Sequence, residues 1–243
     1  MTVFLKKIIS ISFFLFTLIL FSSQAFAGVT YVDSFDVSSQ ETLPTSVQFN
    51  SDGTKMFVLG SDSDKVNEYT LSTGFDVSTA SFVDGFSVRS QEIYPCGLAF
   101  NSDGTKMFVV GTNGDDVNEY TLTTGFDVST ASYDSNFDIS SEETAPRSMA
   151  FNSDGTKMFV VGLTGDDVNE YTLSTGFDVS TASFVDSFDV SSQATTPEGL
   201  AFNSDGTKMF VLAASGDDKV NEYTLSTGFD VSTASYDSNF GVS

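Results

Sequence analysis

One block of sequence is written four times in this chain, and that repetition limits the fold more than any other feature. Phe-Asn-Ser-Asp-Gly-Thr-Lys-Met-Phe-Val begins at Phe49, Phe100, Phe151 and Phe202, a spacing of 51 residues each time. Val-Asn-Glu-Tyr-Thr-Leu follows from Val66, Val117, Val168 and Val220, the last displaced by one residue because the loop from Ala213 to Lys219 is longer. Ser/Thr-Thr-Gly-Phe-Asp-Val-Ser-Thr-Ala then recurs from Ser72, Thr123, Ser174 and Ser226. The units run approximately over residues 40–90, 91–141, 142–192 and 193–243 of a single domain, 28–243.

Inside a unit the pattern is β throughout, with short apolar or alternating runs separated by turn residues. In the third unit, Ser148 to Asn152 reads as an inner strand and Ser153-Asp154-Gly155 as a hairpin turn whose glycine supplies a positive φ. Lys157 to Gly162 is a second strand, Val168 to Leu173 a third, Thr175 to Thr181 a loop, and Ser183 to Val190 a fourth strand. No stretch after Ala27 keeps a helical apolar period. The expected fold is therefore all-β: a β-propeller of four four-stranded blades. A β-solenoid is the structural rival, but tight Ser-Asp-Gly hairpins do not suit parallel rungs. Thr30 to Ser39 matches the fourth strand of a unit, compare Ser183 to Ser192, so the propeller carries an extra N-terminal outer strand. Five outer strands serve four inner triplets. Either the N-terminal strand completes the last blade and the C-terminal one is displaced, or both pack on an open edge, or chains join, the alternative fold being the half-ring of a larger or dimeric propeller.

Residues 1–27 read as a signal peptide. Lys6 and Lys7 lead an uncharged, mostly apolar run from Ile8 to Phe21, and Ala25-Phe26-Ala27 offers the small-x-small cleavage site. As a helix that run would rise about 21 Å, short of a membrane core of about 30 Å, so no transmembrane segment is expected in the mature chain. The expected location is secreted or periplasmic. Thirty-three acidic against ten basic residues give a net charge of −23, which becomes −25 without the two signal lysines. So negative a chain repels nucleic acid and anionic membranes. With no histidine it has no His-based nucleophile, acid–base pair or metal site, and with Cys96 alone it has no internal disulfide or zinc cluster.

Pro-x-Gly-Leu-Ala-Phe-Asn-Ser-Asp-Gly-Thr-Lys-Met-Phe-Val, from Pro95 and Pro197, resembles the inner hairpin of bacterial propeller repeats of the YVTN and lactonase-like type. Asn-Glu-Tyr-Thr-Leu-Ser-Thr-Gly-Phe-Asp-Val-Ser-Thr-Ala is similar to a longer-bladed variant of secreted and tail-associated proteins. The resemblance covers Gly28 to Ser243. It implies the propeller fold and leaves the activity open, since such propellers serve as enzymes, carriers and adhesive modules. The chain departs from lactonase-like relatives in having four units where those typically have seven, and in lacking histidine. Both departures argue against inherited catalysis.

Near-identical units supply rings of equivalent groups, whereas catalysis needs different residues in different roles. Three sets of residues follow. The acidic loops Asp62 and Asp64, Asp115 and Asp116, Asp166 and Asp167, and Asp217 and Asp218 offer hard oxygen ligands of the kind Ca²⁺ takes, although their plain alternative is turn chemistry facing solvent. Lys55, Lys106, Lys157 and Lys208 read as diagonal cross-strand partners of Glu68, Glu119, Glu170 and Glu222, each worth at most about 1 kcal/mol. Phe57, Phe108, Phe159 and Phe210 read as wedge core between blades. The position after the unit's proline is the informative one: Thr45, Cys96, Arg147 and Glu198 differ in every copy. They are expected to ring the mouth of the central channel as a ligand-binding site, the alternative being drift in an exposed loop. With no base in view, the Cys96 thiol is expected to keep an ordinary pKa.

The chain thus reads as a secreted, non-enzymatic propeller that binds an unidentified small-molecule or protein partner, homodimer included, with calcium as a candidate cofactor. The alternatives are a lactonase-like or other hydrolase with a metal-carboxylate site in the channel, and an adhesive or structural repeat array.

Overall fold

Alternation of apolar and polar residues, broken by glycine turns, folds as the sequence anticipates. The computed structural model describes residues 31–214 and 218–241. The signal-peptide reading of residues 1–27 and the loop residue Asp217 lie outside them. Among the described residues no helix is long and apolar enough to cross a membrane.

The body from Asp33 onward is one compact unit of four antiparallel four-stranded sheets. Blade 1 comprises β1 (Pro44–Phe49), β2 (Lys55–Gly60), β3 (Lys65–Leu71) and β4 (Ala80–Ser87). Blade 2 comprises β5 (Pro95–Phe100), β6 (Lys106–Gly111), β7 (Asp116–Leu122) and β8 (Ala131–Asp138). Blade 3 holds β9 (Pro146–Phe151), β10 (Lys157–Gly162), β11 (Asp167–Leu173) and β12 (Ala182–Asp189), and blade 4 holds β13 (Pro197–Phe202), β14 (Lys208–Ala213), β15 (Lys219–Leu225) and β16 (Ala234–Gly241). The chain is a four-bladed β-propeller.

Local chemistry fixes each blade. The hairpin between the first two strands turns on Gly53, Gly104, Gly155 or Gly206, each at φ 71°, the left-handed region that glycine enters without penalty. The turn aspartate accepts from the hydroxyl of the threonine two residues on, as in Asp103 and Thr105 at 2.6 Å. Between third and fourth strands a short 3₁₀ turn recurs at Val77–Thr79, Val128–Thr130, Val179–Thr181 and Val231–Thr233.

Blades pack through wedge cores. Phe57, Leu59 and Val66 of blade 1 lie against Met107, Val109 and Tyr120 of blade 2, and the same pattern repeats between blades 2 and 3 and between 3 and 4. Here the Lys–Glu pairs differ from the surface pairs that the sequence suggested. Glu68, Glu119 and Glu170 are buried because their second oxygen crosses to the next blade, accepting from the backbone N–H of Val128, Val179 and Val231 at 3.0, 2.9 and 2.9 Å. Lys55 donates both to Glu68 at 2.6 Å and to the Phe126 carbonyl of blade 2 at 2.6 Å. The pair is a staple between blades.

A second buried carboxylate was not singled out from sequence. Glu41 folds back to accept from the N–H groups of Leu43, Asp62 and Ser63 and from the Ser63 hydroxyl, and Glu92 and Glu143 make corresponding bonds to backbone N–H groups in the next two units. The fourth unit has Ala194 instead.

The arc has two ends. β5 packs on β1, β9 on β5 and β13 on β9, while among the described residues β13 and β1 share no comparable packing. At the first end, the N-terminal segment sets Phe35 edge-on to Tyr69 at 5.5 Å, as Phe86 meets Tyr120 at 5.5 Å in the next joint. It does so without pairing into a sheet.

Candidate functional site

The four prolines that open the inner strands bring the following residues to one place. Pro44, Thr45, Cys96, Arg147 and Glu198 line a single cavity of about 240 Å³ at the end of the channel where those strands begin. The sequence-derived ring therefore assembles, with a different chemistry from each blade.

Its polar groups are unequal. Arg147 Nε lies 3.5 Å from a Glu198 carboxylate oxygen, outside hydrogen-bonding alignment, so this buried donor is unpaired. Arg147 also reaches the Cys96 sulfur at 3.6 Å. The Thr45 hydroxyl is already engaged, donating to the Pro95 carbonyl at 2.9 Å and so tying blade 1 to blade 2. Cys96 donates to the Tyr94 carbonyl at 3.3 Å. Burial pushes its thiol up, with Arg147 opposing, which corrects the expectation of an ordinary pKa and makes the sulfur a weaker nucleophile at neutral pH. Arg147 and Glu198 remain as the groups able to engage a ligand: a planar donor fork for a carboxylate or phosphate, beside a carboxylate that can accept a hydroxyl or take a proton.

The acidic loops are built as turns. Asp64, Asp115, Asp166 and Asp218 sit at φ 52°, 49°, 49° and 42°, the left-handed position that aspartate tolerates. Asp62 accepts from Thr42, Asp64 pairs with Arg89, Asp116 accepts from Asn118 and Asn136, and Asp167 accepts from Asn169. Burial and the neighbouring Asp138 and Asp116 carboxylates hold Asp115 above the usual range. Among the described residues no three His, Cys, Asp or Glu side chains gather as a metal site. Four of these loop carboxylates, those of Asp62, Asp64, Asp116 and Asp167, are thus already engaged by neighbouring side chains.

The channel's other end is lined by Ala99, Ala150, Ala201, Asn152 and Asn203 among others. Those asparagines are already bonded to Thr156 and Lys157, and to Thr207 and Lys208, which leaves them structural.

No family model matches the chain, and no curated protein matches it in sequence. Solved structures do match in fold. A 6-phosphogluconolactonase candidate from Bacteroides fragilis aligns with TM-score 0.56 at 15% identity, covering 88% of this chain and 60% of its own. A protein from Lactobacillus plantarum gives TM-score 0.56 at 15% identity over 82% of this chain and 55% of its own. The periplasmic gluconolactonase of Pseudomonas aeruginosa gives 0.51 at 16% identity over 81% and 53%. This chain spans little more than half the length of each. At such identities the likeness establishes the fold alone, and that fold is the β-propeller of the lactonase-like structures.

Proposed function

We propose that the channel mouth is a small-molecule site for an anionic sugar acid or its lactone, and that the protein is an exported lactone hydrolase of the propeller type. The observation that carries this reading is the convergence of four non-equivalent residues on one cavity, with the Arg147 guanidinium beside the Glu198 carboxylate. The names of the solved neighbours favour the lactone class over a purely non-enzymatic module. In this reading Glu198 takes a proton from the attacking water while Arg147 holds the carbonyl oxygen as it becomes an oxyanion. The ring C–O bond then breaks, and the leaving alkoxide regains the proton to give the hydroxy acid. No metal is required.

Acid release from glucono-δ-lactone and its 6-phospho derivative tests the proposal. Glu198→Gln is expected to lower kcat by about 10²-fold or more, and Arg147→Ala to weaken substrate binding. A second reading, binding without turnover, is supported by the single carboxylate at the mouth. It predicts calorimetric binding of 6-phosphogluconate, lost in Arg147→Ala, with no acceleration of hydrolysis. Absence of both turnover and binding overturns the site.

A further inference from the structure

Every internal joint of this propeller has two halves, and each half also stands alone at one end of the arc. On the trailing side of a blade, a phenylalanine, a branched aliphatic and a valine enter the next blade while a glutamate caps its 3₁₀ turn. Blade 4 presents that half to solvent. Leu212 is 39% exposed where Leu59, Val110 and Val161 are buried, and Glu222 is 32% exposed where Glu119 is 1%. Blade 1 presents the receiving half. Val47 is 53% exposed where Leu98 and Met149 are buried, and with Met56, Val58 and Val77 it lines an apolar cavity of about 370 Å³. Val77 stands where Val128, Val179 and Val231 take a glutamate from the preceding blade, and among the described residues no glutamate reaches it.

We infer that these two faces join between two copies of this chain, the trailing face of blade 4 in one copy entering the blade 1 seat of the other, twice over, to close one ring of eight blades. The repeats make the fit: Phe210, Val220 and Glu222 occupy the positions of Phe57, Val66 and Glu68, whose partners in blade 2 are the counterparts of Met56, Val58 and Val77 in blade 1. Contiguous apolar surface of this kind marks an association face. The arc does not satisfy it alone, because among the described residues β13 and β1 share no packing comparable to that of neighbouring inner strands. The four blades cover only 53–60% of two solved neighbours of the same fold, so an arc of this kind has room for further blades, and a head-to-tail contact ends when its rotation closes. Phe35 already holds the Tyr69 seat that Phe240 would claim. The end of β16, with Phe240 exposed, therefore swings aside at the joint.

Leu212→Asp blocks the trailing face and Val47→Asp the receiving face; both sites are exposed within one chain, so each variant is expected to fold, which far-UV circular dichroism checks. Protein purified from full-length expression is expected to sediment as a dimer, and each variant as a monomer. Mixing the two variants restores a dimer through the one joint that remains intact, a result that general surface stickiness does not give. A wild-type monomer at all concentrations, oligomers larger than two, a dimer insensitive to both substitutions, or monomeric mixtures each overturn the inference. Lactone turnover is read separately, so the loss of either idea leaves the other standing.

Discussion

Glu41 shows how one residue sets what another can be. A Cβ on Gly60 would stand 2.0 Å from the Glu41 carboxyl carbon, so the glycine exists to admit the buried acid. The fourth unit carries the compensated pair, Ala194 with Ala213. Gly60→Ala alone is expected to cost about 3 kcal/mol by overpacking, and Glu41→Ala about 2–3 kcal/mol by orphaning three N–H groups. The double variant should recover about 1–2 kcal/mol of their sum in a urea-denaturation cycle. The hairpin aspartates make a pH-dependent counterpart. The Thr105 hydroxyl and then its N–H hold Asp103 below the ordinary aspartate value of 3.8. A carboxylate lowered by folding stabilises the native state above its unfolded pKa, and that contribution disappears as pH falls through the folded value. The melting-temperature gap between wild type and Asp103→Ala should therefore be full at pH 6 and close below pH 3.8, while the absence of histidine leaves it flat between pH 5 and 8. By contrast, burial pushes the Tyr223 phenol up to about 12, leaving it neutral throughout that range.

The staple between blades belongs to the element scale. Glu119 is buried, bonded at once to Lys106 and to the Val179 N–H of the next blade, so Glu119→Ala orphans that amide and leaves Lys106 with Asp134 as its remaining carboxylate. The expected cost is about 2–3 kcal/mol. Glu222 makes the same ion pair, 2.5 Å to Lys208, without an interblade amide among the described residues, and Glu222→Ala should cost under about 1 kcal/mol. Equal losses in chemical denaturation would show that the interblade bond contributes nothing. This contrast also marks where the sequence was legible. β10 runs from Lys157 to Gly162 as the alternation indicated, and the Asp-Gly turns and the Thr45–Cys96–Arg147–Glu198 ring fall where position within the repeat puts them, because period and turn chemistry are local. The staple was read only as a surface pair since its third partner lies 60 residues away in Val128 or Val179. Likewise nothing local shows that Thr45 spends its hydroxyl on a neighbouring blade's carbonyl while Arg147 keeps its donors in the cavity.

At the scale of the whole molecule, stability in a repeat array is a sum of unit terms and nearest-neighbour joints. Blades 2 and 3 are each clamped on both sides, whereas blades 1 and 4 have one joint apiece. Blade 1 recovers part of the loss, because Phe35 and Val37 pack on the Met56, Val58, Tyr69 and Leu71 cluster. Among the described residues blade 4 has no such cover: its outer strand β16 is exposed along nearly its whole length and Phe210 is only half-buried. Local opening follows the density of buried contacts. In dilute solution, amide hydrogen exchange should therefore be slowest in β6 and β10, intermediate in β2, and fastest in β14 to β16. If two copies close a ring, raising the concentration should slow exchange in β14, β15 and the 3₁₀ turn Val77–Thr79 together. The reason is that the amide of Val77 would acquire Glu222 as its acceptor in the same event that covers Leu212. β16 itself should gain nothing near Gly241, since Phe35 already holds the seat. Exchange that slows uniformly across all blades, or not at all, would mean that the two ends of the arc do not meet.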